Sequence, residues 1–505
     1  MSITPLSRRH FLQQAGSAVA LGTLAPTLSA YAARRARQGV NRTPTSPYGD
    51  IAPVIDQTTR LPLLKLPEGF RYASYGWTGD LMSDGTLTPD RHDGMAVVAT
   101  SRNLDGDITL IRNHERGATE PGNPLPFIGD GLAPIYDDFT LEGVISGIGG
   151  GTTSMTFRRG RLIDHRASLG GTLTNCAGGR TPWNSWLTCE EVTIRGTIIG
   201  AKDHGYVFEV PAPNTGLVAS AVPIIDMGFF DHEAVAVDPA TSFVYLTEDN
   251  GPNSGFYEFR PNDRSGQVGA LEQGGELYML KVVGQPLRDL RDVQAGDVFD
   301  IEWVRVEDPN ADPEFFVPPE EDFPPIEGSG RSGCFLQGEA QGAAFFNRGE
   351  GCWFYRGLIY FVDTSGGAAE KGTVFAYDPA AQRLTVLFVS PDAVVADNPD
   401  NITVSPNGGV LVCEDGGGVN DEAGELTIGT RMLGIEPDGN AYVFAENNMI
   451  IDAPLPDRPF IEPADYRGSE WAGATFGPLG NLMFVNIQTP GVTFAITGPW
   501  ERGPL

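Results

Sequence analysis

A pair of short strands recurs along nearly the whole chain, and this repeat limits what the sequence can fold into. Its clearest copy is HEAVAVDPATSFVYLTEDN (232–250): a first strand, a turn rich in Asp, Pro and Thr, and a second strand that closes on acids. The same plan is visible in DNITVSPNGGVLVCEDGG (400–417), in RGEGCWFYRGLIYFVDTSGG (348–367) and, diverged, in GATFGPLGNLMFVNIQ (473–488). Earlier copies lie at HDGMAVVATSRNLDGDITLIRNHE (92–115) and from TNCAGG (174–179) to SWLTCEE (185–191). Further strands such as GYVFEV (205–210), GTVFAYDP (372–379) and GNAYVFAE (439–446) follow several of the pairs. No sustained helical periodicity interrupts them. Among 505 residues, 64 Gly and 39 Pro supply the turns. Irregular repeats of this kind predict an all-β chain, a six-bladed β-propeller with loop insertions, whose ring leaves only short edges. Two stacked sandwiches would not explain why similar pairs recur throughout.

In a propeller the first strand of each blade lines the axis. In an antiparallel pair, the start of one strand and the end of the next lie at the same end. Cys176, Glu233, Glu350 and Asp400 open first strands; Glu115, Glu190, Glu191, Glu248, Asp249, Asp363, Glu414 and Asp415 close second strands. These groups are predicted to crowd one mouth of the channel, where carboxylates repel one another unless multivalent cations compensate them. Alternation sends only one of two adjacent acids to the axis, so about half should face elsewhere. The formal charge of −30, from 35 basic and 65 acidic residues, excludes nucleic acid and anionic lipid as natural partners.

Ser7-Arg8-Arg9-His10-Phe11-Leu12, an apolar run from Ala15 to Leu28 and the Ala30-Tyr31-Ala32 pattern read as a twin-arginine export signal over residues 1–32. A linker over 33–60 and one domain over 61–505 follow. Export to the periplasm or beyond, with the twin-arginine machinery as partner and no stable membrane insertion, is the expectation. Such export carries folded proteins, often with a cofactor already in place. The acidic, Pro-rich stretch EDPNADPEFFVPPEEDFPPIEG lies within the largest insertion, about 260–340, and reads as a solvated loop. Five cysteines and few histidines make a His-rich zinc site improbable and any metal site mainly carboxylate. Cys189 and Cys413 each precede an acid in a second strand and read as buried hydrophobes. Cys176 opens a first strand beside the mouth, where a thiolate among carboxylates suits a transition metal such as iron; a disulfide to Cys189 is the alternative.

The segment NCAGGRTPWNSWLTCEE (175–191) resembles the PhoX-type alkaline phosphatases, exported propeller enzymes. Weaker similarity runs through HEAVAVDP, RGEG, DNITVSPNGG and FVNIQTPG. The resemblance implies hydrolysis of small phosphate monoesters by an iron and calcium cluster in the channel. It implies Cys176 as an iron ligand, Glu191 and also Glu190 beside it, and Glu233 as a further ligand. Arg348-Gly349-Glu350 resembles an Arg-x-Glu element of that family, which implies Arg348 as the catalytic, phosphate-holding residue and Glu350 as a metal ligand. An arginine fork suits phosphate, and a carboxylate two residues away shares its strand face. Gly351 stands where the better-known branch carries Trp. Asp249, Asp363, Asp400, Glu414 and Asp415 are either calcium ligands or rim acids, with Glu414 preferred to Asp415. A calcium-dependent lactonase or arylesterase, and a non-catalytic calcium-stabilised binding propeller, are the competing readings.

Overall fold

In a computed structural model the structure describes residues 46–101, 106–129, 133–317, 327–421, 423–436 and 439–505. The export signal, residues 33–45 of the predicted linker and the 318–326 part of the acidic insertion lie outside the described residues. The chain is all-β and propeller-like. Six strands lie innermost: β1 (His92–Thr100), β2 (Asn175–Arg180), β3 (His232–Val237), β4 (Gly349–Tyr355), β5 (Pro399–Val404) and β6 (Trp471–Phe476). Each packs on the next, and β6 packs on β1, so the series closes on itself. Behind each inner strand the chain turns back in antiparallel order, the meander expected where turn formers punctuate short apolar runs.

The sheets differ in size. β1 heads a four-stranded sheet and β2 a three-stranded one. β3 and β4 stand at opposite ends of one nine-stranded sheet, whose two meanders are joined at the outside where Val298–Val306 pairs with Arg383–Val389. The sheet of β5 is extended by Leu64–Pro67 and Ile51–Val54, and that of β6 takes its outer strand from Arg71–Tyr75. The folded part therefore begins before residue 61. Tyr48 is buried and its hydroxyl donates to the Leu505 carbonyl at 3.2 Å, while the Leu505 amide donates back at 2.8 Å.

The apolar core fills the spaces between successive sheets. Leu187, Cys189 and Val207 pack against Val235, Leu246 and Tyr257; on the other side of that sheet Tyr245 and Phe256 meet Phe361 and Tyr377. Burial of each such side chain stabilises the fold by about 1.5–3 kcal/mol. All five cysteines are buried and free, so no disulfide joins Cys176 to Cys189.

At three positions near the axis, neighbouring inner strands come too close for a side chain. A Cβ on Gly94 would lie 2.5 Å from the Ala177 Cα, one on Gly351 would lie 2.7 Å from the Ile402 amide, and one on Gly473 would lie 2.6 Å from the Met95 amide. The matching positions of β2 and β3 are Ala177 and Ala234. The space left between the six strands at this waist is about 10 Å³, no more than a single water needs. Gly351 is thus a requirement of strand packing.

Candidate metal centre

The site arises from one local geometry used six times. Each inner strand begins opposite the last residue of the second strand: His92 pairs with His114, Asn175 with Glu190, His232 with Glu248, Gly349 with Asp363, Pro399 with Glu414 and Trp471 with Ile487. The register then slips within the next residues of every inner strand, a bulge that re-aims the side chains following it. The residue after each second strand donates its amide to the carbonyl just before the inner strand: Glu115 to Arg91, Glu191 to Thr174, Asp249 to Asp231, Thr364 to Arg348, Asp415 to Asn398 and Gln488 to Glu470. Arg91, Thr174, Arg348 and Asn398 hold left-handed φ angles of 50°, 46°, 69° and 49°. Non-glycine residues adopt that region at a cost, and here the shared hydrogen bond maintains it.

Two rows of side chains result. The last residues of the second strands point into the blades and brace them. Glu190 accepts from the amides of Leu173, Gly205 and Tyr206 and binds His204 at 2.6 Å. Glu414 accepts from the amides of Asp397 and Arg431 and forms a two-pronged pair with the Arg431 guanidinium at 2.7 and 2.8 Å. Glu248 holds Gly255 and Tyr257, and Asp363 accepts from Asn347. The expectation of Glu190 and Glu414 as metal ligands is corrected accordingly: their oxygens are already spent inside the blades. Alternation selects Asp415 over Glu414, just as it selects Glu191 over Glu190.

The other row meets the openings of the inner strands. Donor atoms of Cys176, Glu191 and Glu233 lie within 4.8 Å of one another, as do those of Glu233, Glu350 and Asp400, and those of Asp400, Asp415 and Glu470. Glu233 and Asp400 are shared, so the three groups form one chain of potential cation sites across the mouth. Burial, and then the carboxylates around them, push Glu191, Glu233 and Glu350 well above the ordinary carboxylate range and Asp400 to about 7. Glu470 and Asp93 are raised by the same causes in the same order. The Cys176 thiol is raised by burial and by Glu233, Glu191 and Asp93. So much uncompensated negative charge fits multivalent cations. The donor set also grades across the mouth, from thiol with carboxylates at Cys176 to oxygen alone at Asp415 and Glu470.

Arg348 stands beside this chain with its side chain 42% exposed. Its Nε and Nη2 take both oxygens of Asp249, at 2.7–3.2 Å, and Nη2 reaches Glu350 at 3.1 Å. Among the described residues Nη1 has no hydrogen-bond partner. The structure thus brings together Cys176, Glu191, Glu233, Glu350 and Arg348, with Asp249, Asp400 and Asp415; it separates Glu190, Glu414 and Asp363 from them.

Three residues at the mouth escape the sequence reading. Asp93 follows the first residue of β1 as Cys176, Glu233, Glu350 and Asp400 follow theirs, which only an alignment of all six openings reveals. Glu470 precedes β6 as Arg348 precedes β4, outside the diverged repeat that begins at Gly473. Gln488 replaces an acid of the row that faces the mouth and donates to Glu115 at 2.6 Å and Glu470 at 2.8 Å.

Comparison with known proteins places these features in context. The family model for alkaline phosphatase PhoX matches residues 46–128 and 140–491. A search of curated proteins found no match. Among solved structures, Pseudomonas fluorescens PhoX in complex with vanadate, described as a transition state analogue, superposes with a TM-score of 0.60 at 17% identity, covering 90% of this chain and 99% of that one. At that identity the likeness concerns the fold. A Xanthomonas campestris gluconolactonase also matches, with a TM-score of 0.35, 12% identity and coverage of 89% of this chain and 98% of that one.

Proposed function

The chain belongs to the alkaline phosphatase PhoX family, and from that premise we propose that it hydrolyses phosphate monoesters at the acid-lined mouth. The observation that carries the reading is the continuous chain of three cation-binding groups with a half-exposed arginine beside it. Iron is assigned to Cys176, Glu191 and Glu233, because a thiolate among carboxylates favours a transition metal; calcium is assigned to the two groups that offer oxygen alone. When bound, these ions would supply Lewis-acid polarisation of the phosphoryl oxygens and neutralise charge.

The residues of the chain do the rest. Asp249 and Glu350 hold the Arg348 guanidinium at the edge of the cation sites, where its fork can take two phosphate oxygens. Cations must precede substrate, because the bare mouth repels an anion. Replacing Arg348 with Ala should reduce kcat/KM for p-nitrophenyl phosphate by about a hundredfold or more, the scale of losing one preorganised donor to the reacting oxygens. Metal content should stay unchanged. A holoenzyme inert towards phosphate monoesters would overturn the reading. Calcium without iron in the purified protein would favour a calcium-only esterase or lactonase, which has no use for the Cys176 thiolate.

Two wider assignments accompany this one. A six-bladed ring is supported by the closed series β1 to β6 and by the hydrogen bond repeated at each opening. Export through the twin-arginine pathway is supported by Arg8-Arg9 and the apolar run behind them. No helix among the described residues is long and apolar enough to cross a membrane. Exchange of Arg8 and Arg9 for Lys should leave precursor in the cytoplasm, and unchanged export would refute the pathway.

A further inference from the structure

The opposite end of the inner strands is built from different chemistry. There a pocket of about 310 Å³ opens where β1, β2, β3 and β4 end. Val97, Val235 and Val237 wall it, and no aspartate, glutamate or lysine lines it, in a chain with 65 acids. Among its polar side chains, Arg180 and Asn184 are exposed to solvent, whereas Trp353 is buried. The Arg180 guanidinium lies 5.1 Å from the centre of the Trp353 ring and, among the described residues, makes no hydrogen bond or ion pair. Trp353 is 93% buried and its Nε1 has no hydrogen-bond partner. The Asn184 amide has no side-chain hydrogen bond among the described residues and sits on a left-handed turn with φ 64°.

We propose that this pocket is a second binding site, which takes a compact organic anion: one charged oxyanion group, carboxylate or phosphonate, on an apolar body. The Arg180 guanidinium faces no carboxylate among the lining residues and so calls for an anion, and its fork matches a planar or tetrahedral oxyanion. The valine walls call for an apolar body, since pockets of this size bind chiefly through apolar contact and orient through a few polar groups. A long polyanion is disfavoured by the −30 charge of the chain. The waist, with space of about 10 Å³, lies between this pocket and the acid mouth.

Calorimetric titration of the holoenzyme tests this with benzoate, phenylphosphonate, benzyl alcohol and acetate. Benzoate or phenylphosphonate should bind saturably, and the tighter of the two identifies the oxyanion. Benzyl alcohol and acetate, which lack the charge and the ring respectively, should bind at least about tenfold more weakly. Arg180→Gln should weaken binding by roughly ten- to hundredfold, the loss of one charge-assisted contact. Trp353→Phe should weaken it less, and neither change should alter p-nitrophenyl phosphate turnover. Absence of saturable binding up to about 10 mM, unchanged affinity in Arg180→Gln, equal binding of benzyl alcohol, or competition by inorganic phosphate would each overturn the proposal.

Discussion

Glu414 and Asp415 are neighbours in sequence, and so are Glu190 and Glu191, yet the members of each pair live in opposite surroundings. Glu414 and Glu190 each find several backbone amides and a basic side chain within their own blade. Asp415 and Glu191 meet mainly other carboxylates at the mouth. One rotation of the strand separates an acid that fastens a blade from an acid that waits for a cation. A carboxylate count therefore overstates the site by the members that face inward to the blades.

The sharpest way to break this contrast is at Glu233, which belongs to two of the three groups. Glu233→Gln should reduce phosphatase kcat/KM by at least about a hundredfold and lower bound metal, while the fold survives in chelator because a repelled charge has been removed. Full activity with full metal content would refute its role. Glu414→Gln should do the reverse. It leaves Arg431 buried without its counter-charge, at about 3 kcal/mol in denaturant unfolding, with turnover per folded molecule retained. If it abolished activity at unchanged stability, the division into two rows would fail.

Smaller effects probe the frame that both rows share. Gly351→Val places a branched side chain where a Cβ already lies 2.7 Å from the Ile402 amide, and should cost about 1–3 kcal/mol by overpacking the waist. The mildest test uses pH. Burial opposes the charged form of His204, but the Glu190 and Asp137 carboxylates outweigh it and raise the group to about 9. Its ordinary value is about 6.5, so its contribution to stability is complete below that pH and is lost as pH rises through about 9. Wild type should lose stability between those values, and Glu190→Gln should flatten that part of the profile. An identical slope in both proteins would show that the pair carries no linkage.

Much of this was legible in the chain. The strand pairs, the acids at their ends, Cys176 and the Arg348–Glu350 element are contiguous motifs, and the mouth gathers them as antiparallel pairing requires. The choice between adjacent acids was harder, because it depends on where each bulge resets alternation and on partners distant in sequence. Arg431 and His204, which capture Glu414 and Glu190, lie 17 and 14 residues away. Asp93 and Glu470 stayed hidden for another reason. Each occupies a shared register position whose meaning emerges only when all six openings are superposed, and Glu470 lies upstream of the visible part of its repeat. The start of the folded part was misplaced because Ile51–Val54 has no partner nearby apart from Leu64–Pro67, and that pair joins a sheet made by residues near the other end of the chain.

The strand Arg71–Tyr75 is among the first parts of the fold to leave the ribosome, yet its partner, Val492–Thr497, is among the last. The ring therefore has no intermediate closed form. Until this part of the chain is made, the last sheet lacks its inner strand β6, Glu470 and Gln488 are absent from the mouth, and β1 has no neighbour on one side. A truncated or stalled chain would present open strand edges together with an unfinished acid cluster. Of the three acid groups at the mouth, only the one that includes Glu470 waits for this last sheet.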